Sequence, residues 1–325
     1  MKRILSILAL SLALAAGSAM TATAISHSSD SQALSPEETG QQASKILTKD
    51  FDCKDFHGLS IGSLYQVELV RDDHYSVTVK YSDYLEKYVK VYVSGGTLHI
   101  ELDNLPASIQ RARKYQENGI LRATVHMPDL AALSLSGAAK LQAEGTFKSG
   151  SNGVFRMELS GATAAKGLSV EGRRARLSLS GAAKCNPFTG RFDEVDLEVS
   201  GAAKAEMDAD AAAWNIHLSG AAGLKLNGER CRTLDLEASG AAKCELGISS
   251  GRMTYEGSGA TVLQALEAPA AKASVELSGT AKCRIAIQES LEVQASGISE
   301  CSYKAAKDAD IRTISVSKMA KVQAL

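Results

Sequence analysis

A Ser-Gly pair returns at near-constant spacing along most of this chain, at Ser136, Ser160, Ser180, Ser200, Ser219, Ser239, Ser258, Ser278 and Ser296. The intervals run from 18 to 24 residues, and most are 19 or 20. Ser317 heads a degenerate copy in which Lys318 stands where the glycine should be. A period near 20 residues restricts the chain to a solenoid, because one such unit buries its apolar face only by stacking on the next. The columns within the repeat say which solenoid. One residue before the serine stand Leu179, Val199 and Leu218, and three before stand Leu177, Leu197 and Ile216. Between them stand Ser178, Glu198 and His217. Apolar and polar residues alternate with period 2, which is a half-buried strand and not a helix.

The columns after the serine repeat the argument. Three after comes a small residue such as Ala183, Ala203 or Ala222, and five after comes Cys185, Ala205 or Leu224. A second strand therefore leaves the Ser-Gly corner, and a third short strand completes about 20 residues, one rung of a parallel β-helix. Glycine at the corner suits a backbone with positive φ or a close approach. Ten rungs spaced about 4.8 Å apart make a rod roughly 45–50 Å long. The chain is thus expected to be all-β, with regular repeats over residues 127–325. Residues 50–126 lack the Ser-Gly signature but are rich in strand patterns, with a hairpin turn at Gly95-Gly96. They read as first, irregular rungs or as an N-terminal cap, with an insertion at 103–119 that projects from the side.

The first 24 residues read as a secretory signal peptide. Lys2 and Arg3 precede a short apolar run, and Ala22-Thr23-Ala24 is a cleavage site. The run is too short for the roughly 20 apolar residues of a membrane span, so no transmembrane segment is expected in the mature chain. Polar residues 25–49 read as a flexible leader. Over the 325 residues, 36 Lys and Arg against 37 Asp and Glu leave a net charge of −1. That balance argues against a nucleic-acid coat, which needs a net basic surface.

The run Met127-Pro128-Asp129-Leu130, the following Leu133-Ser134-Leu135-Ser136-Gly137, and the upstream strands Val67 to Tyr81 and Val89 to Leu102 carry a further signal. Together with the repeat they resemble the head GIN domain family, exported proteins described as "putative autotransporter adhesins" and common in Bacteroidetes-type bacteria. The resemblance covers about residues 50 to 325 and implies a single-stranded, right-handed parallel β-helix. Many members have Ser-Gly-Ser-Gly at the corner, whereas this chain has Ser-Gly-Ala-Ala-Lys, as at Ser180 to Lys184. The family has no firm chemistry to carry over, so the resemblance implies no catalytic residue.

Several side-chain patterns are candidates for chemistry. Lys140, Lys184, Lys204, Lys243, Lys282 and Lys321 share the position four after the serine, interrupted by Glu300. Such a row suits an anionic ligand, and equally a soluble sheet surface that resists edge association. Glu237, Glu256 and Glu276 stack on successive rungs, with Asp235 on the same face. They are a candidate cation strip, since hard cations take carboxylate oxygens, or else a solvated acidic strip screened by salt. Of the six cysteines, Cys185, Cys244, Cys283 and Cys301 share one inward slot, where a thiol behaves as a small hydrophobe. Cys283 and Cys301 are on adjacent rungs and a disulfide between them is the alternative; Cys53 and Cys231 lie outside the slot. Trp214 falls in a core column with Phe155 and Val195, with sugar stacking as the other reading. No nucleophile elbow, phosphate loop or zinc spacing is present, so no cofactor is expected.

Three functional readings remain. The first is a non-enzymatic envelope or surface β-helix, an adhesin or scaffold that binds a glycan or a host or cell-surface protein. The second is a polysaccharide lyase or hydrolase, which rests on fold analogy. The third is a scaffold that polymerises by end-to-end stacking.

Overall fold

The computed structural model describes residues 45–111 and 120–325. Its strands form one continuous β-solenoid in which each rung contributes two strand segments and several rungs add a short third. One segment approaches the Ser-Gly corner, one leaves it, and a short third returns the chain to the next rung. Stacked side by side, they make an approach face, an exit face and a third face. On the approach face Leu159 aligns with Leu179, Leu179 with Val199, and Val199 with Leu218. On the exit face Cys185 aligns with Ala205 and Ala205 with Leu224. Each column of the repeat is a straight inward stack, as the period-2 pattern requires. Phe147, Phe155, Phe188 and Trp214 are buried in the interior, and Phe188 stacks between Phe155 and Phe192 at 6.2 Å from each ring.

The corner explains the glycine. From Gly137 to Gly297 every corner glycine has φ between 69° and 79°. The amide one residue later donates to the carbonyl of the corner glycine on the rung before, as Ala202 does to Gly181 at 2.7 Å. The corners are therefore a hydrogen-bonded ladder of their own, tight enough that a Cβ on Gly201 would lie 2.8 Å from the Gly181 carbonyl oxygen.

The N-terminal segment is both a rung and a cap. Strands β2 (Gly58–Ile61) and β3 (Gln66–Arg71) form a full rung that pairs in parallel with β8 (Ala132–Leu135) and β9 (Lys140–Glu144). Strands β5 (Val89–Ser94) and β6 (Thr97–Leu102) are an antiparallel hairpin turned at Gly95-Gly96, and β6 pairs with β2 to close the approach face. On the exit face β7 (Leu121–Met127) lies outside β3, β4 (Ser76–Ser82) outside β7, and β1 (Ile46–Phe51) outside β4, the last two pairings antiparallel. Beneath them Phe56, Val79, Leu85 and Leu98 are fully buried.

Two expectations change. Residues 46–49 belong to β1 and not to a leader, because their backbone pairs with β4. The rest of the leader and the signal peptide lie outside the described residues, as do 112–119 of the insertion, whose described part holds one helical turn, Ala107–Gln110. In the last copy the columns slip. Val293 aligns with Thr313 and Ala295 with Val316, so Ile314 is an extra residue and is 58% exposed, not inward. In the same copy Val316, Met319 and Leu325 are exposed.

Candidate functional site

The exit face places its outward side chains four and six residues after the serine, since those three and five after point inward. The six lysines expected to share a row do so. Lys140 aligns with Ala164, then come Lys184, Lys204, Gly223, Lys243, Val262, Lys282, Glu300 and Lys321, each beside the next. The row does not stop at Lys140. Across the cap it continues through Gln66 to Arg122 and then Lys80. Sequence reasoning missed these two cations because they lie on strands without the repeat. The alternation Val77, Val79, Tyr81 marks Lys80 as outward, yet only the antiparallel pairing sets it beside Arg122.

The row thus crosses the sheet in one register line, from Lys80 to Lys321, over roughly 55–60 Å at about 4.8 Å per strand. All eight cations are exposed. None of them makes an ion pair among the described residues; the salt bridges lie elsewhere, as at Arg174 with Glu194 and Arg312 with Asp310. The adjoining outward row is mixed in sign, with Lys166, Lys225 and Arg284 among Glu206 and Glu245. The row is a line of eight cations broken by one carboxylate, Glu300.

The carboxylates gather on the approach face. Glu198, His217, Glu237, Glu256 and Glu276 stand side by side on successive rungs. His217 Nδ1 lies 3.1 Å from a Glu237 carboxylate oxygen. Asp235 stands on the same strand and face as Glu237, in line with Asn215 and Thr254. Glu198, His217, Glu237, Glu256 and Glu276 line a shallow open groove bordered by Ser219, Ser239, Ser258 and Ser278. Among the described residues no group of three or more His, Cys, Asp or Glu side chains is arranged to hold a metal ion.

The family profile described as "Putative auto-transporter adhesin, head GIN domain" matches residues 55–229 and, in a second overlapping stretch, residues 208–306. The chain belongs to this family. Among solved structures, this head GIN domain chain is similar to a "putative adhesin" from Parabacteroides distasonis at 15% identity and a TM-score of 0.47, covering 87% of this chain and 98% of that one. It is also similar to a "putative adhesin" from Parabacteroides merdae at 14% identity and a TM-score of 0.46, covering 86% and 96%. A "putative lipid binding protein" from Parabacteroides distasonis shares 15% identity with a TM-score of 0.44, covering 86% and 96%. No curated protein matches the sequence.

The remaining candidates of this head GIN domain sit in the interior. Trp214 is 1% exposed and packs in the core, out of reach of a sugar. All six cysteines are free thiols. Cys283 aligns with Cys301 on the next rung, and the two thiols are hydrogen-bonded. Burial pushes the Cys185 thiol up to about 12 and the Cys231 thiol up to about 11. It raises Cys244 as well, whereas Cys283 is raised first by its bond to Cys301 and then by burial. Cys231 proves to be buried, donating towards the Ser249 carbonyl, and only Cys53 is partly open to solvent. Because the thiolate is the reactive form, a maleimide reagent at neutral pH should label the native protein once, at Cys53, and slowly, since partial burial and then Asp52 raise that thiol too. Unfolded protein should take up six equivalents. Mass spectrometry of the labelled chain checks this, and rapid native labelling of any second cysteine would show that the rungs open.

Proposed function

We propose that this head GIN domain protein is an exported, non-enzymatic binding protein of the cell envelope or surface, and that its exit-face row grips an extended anionic polymer such as an acidic glycan. The observation that carries the reading is the single register line from Lys80 through Arg122 to Lys321, without ion-pair partners among the described residues. A flexible polyanion can lie along it and meet one cation every one or two strands. The signal-peptide pattern of residues 1–24 supports export. Among the described residues no helix is long and apolar enough to cross a membrane. A cell-surface protein with an acidic strip is the other partner that the row fits.

The test is a glycan panel with the purified protein at several salt concentrations. Saturable binding to acidic glycans, weakening as salt screens the row, is the expected result. Equal binding to neutral glycans, or none to any acidic one, removes the reading.

End-to-end stacking has an observation of its own in the exposed Ile314, Val316, Met319 and Leu325 of the last rung. Apolar contact of that kind holds or strengthens at high salt, which separates it from any association through charge.

A further inference from the structure

The two outer faces that meet at the Ser-Gly corner carry opposite charge. The exit face has its cation row. Over residues 198–292 the approach face carries Glu198, Asp235, Glu237, Glu256, Glu276 and Glu292 outward, against Arg252 and Lys272; nearer the cap the same face is mixed, with Arg156, Arg174 and Arg176 among Glu158, Glu194 and Asp196. The chain as a whole is nearly neutral, at −1, so this is a separation of charge between faces and not an excess of either sign.

The two ladders also share one pitch. Glu237, Glu256 and Glu276 stand on successive strands, and Lys184 and Lys204 likewise. Both sets are therefore spaced by the same strand separation of about 4.8 Å. Placed in register, an acidic ladder of this pitch meets Lys184, Lys204 and Lys243, with neutral gaps at Gly223 and Val262. The geometry points to a second copy of this chain as the occupant: rods associate side by side, the glutamate ladder of one against the lysine row of the next.

The faces are large enough. A strand of about six residues spans roughly 20 Å, and about ten stacked rungs span roughly 45 Å. One face therefore offers on the order of 800 Å² or more, the size each partner contributes to an ordinary stable interface. The contact is heterologous, because the two surfaces differ. A bound pair keeps one free face of each sign, one on each copy, so association continues past two copies unless it closes into a ring.

This inference uses the lysine row but not its reading as a polymer site, and the test contains no polymer. Two fourfold variants neutralise one face each. The first carries Glu198→Gln, Glu237→Gln, Glu256→Gln and Glu276→Gln. The second carries Lys184→Gln, Lys204→Gln, Lys243→Gln and Lys282→Gln. All eight side chains are exposed, and circular dichroism confirms the fold of each variant. Sedimentation velocity at low salt should show the unaltered protein in species larger than a dimer. The apparent association should weaken at least about tenfold between roughly 20 mM and 500 mM salt. Each variant alone should be monomeric, while an equimolar mixture should form a one-to-one dimer and nothing larger, since only one complementary pair of faces remains. An unaltered protein that stays monomeric at low salt and high concentration overturns the inference. So does association that salt leaves unchanged, which belongs to the apolar last rung, and so does a mixture that forms no complex. If the protein is monomeric yet binds acidic glycans, this inference falls and the proposed function stands.

Discussion

Gly201→Ala is expected to destabilise the protein by about 2–4 kcal/mol, while Gly223→Ala leaves its stability within about 0.5 kcal/mol or raises it slightly. Both changes add one methyl group to an exit-side position of neighbouring rungs. Gly201 has φ of 70°, where an L-residue costs roughly 1–2 kcal/mol. Its new Cβ would also lie 2.8 Å from the Gly181 carbonyl oxygen. That oxygen cannot move away freely, because it accepts the Ala202 amide at 2.7 Å. The Gly201 carbonyl in turn accepts the Ala221 amide at 2.7 Å, so a shift at one corner is passed to the next. Gly223 has no such constraint: its φ is ordinary, and the nearest atom to an added Cβ is Lys204 Cγ at 3.5 Å, on a flexible side chain. Rungs stabilise one another through nearest-neighbour contacts, so damage at Gly201 weakens the interfaces on both sides. Urea unfolding of the two variants decides the matter, and equal midpoints would show that the corner ladder is not a source of stability.

The rung was legible in the sequence because each of its parts recurs. Leu177, Leu197 and Ile216 mark an inward column, and Cys185 and Cys244 occupy another. Their alignment follows from the period alone. The cap was not legible to the same degree. Lys80 sits beside Arg122, and Lys49 opposite Val79, through antiparallel pairings between segments with no shared motif. Such pairings depend on which edge is left uncovered by β2 and β3, a property of the assembled fold. The candidate site shows the same division. Six of the eight cations in the row were readable from the repeat, and the other two needed the cap.

Reversing four members of the row, with Lys184→Glu, Lys204→Glu, Lys243→Glu and Lys282→Glu, is expected to weaken binding to an acidic glycan by a factor between about 30 and 1,000 at low salt. An exposed ion pair contributes roughly 0.2–1 kcal/mol, and each tenfold change in affinity corresponds to about 1.4 kcal/mol. Four lost contacts and four new repulsions, each at about 0.25–0.5 kcal/mol in the lower part of that range, add up to about 2–4 kcal/mol, which is the stated loss. The four side chains are exposed and carry no ion pair among the described residues, so the fold should survive and the thermal midpoint should move little. Overall charge must be separated from the row, because any drop in net charge weakens attraction to a polyanion. A second protein with Lys148→Glu, Arg191→Glu, Arg252→Glu and Lys272→Glu has the same net charge with the row intact. These four cations lie off the exit face and are exposed. If the row is the site, this protein loses less than about fivefold in affinity, a change attributable to long-range charge that salt screens away. If both variants lose affinity equally, the polymer responds to the charge of the whole rod, and the register line from Lys80 to Lys321 is not a binding site.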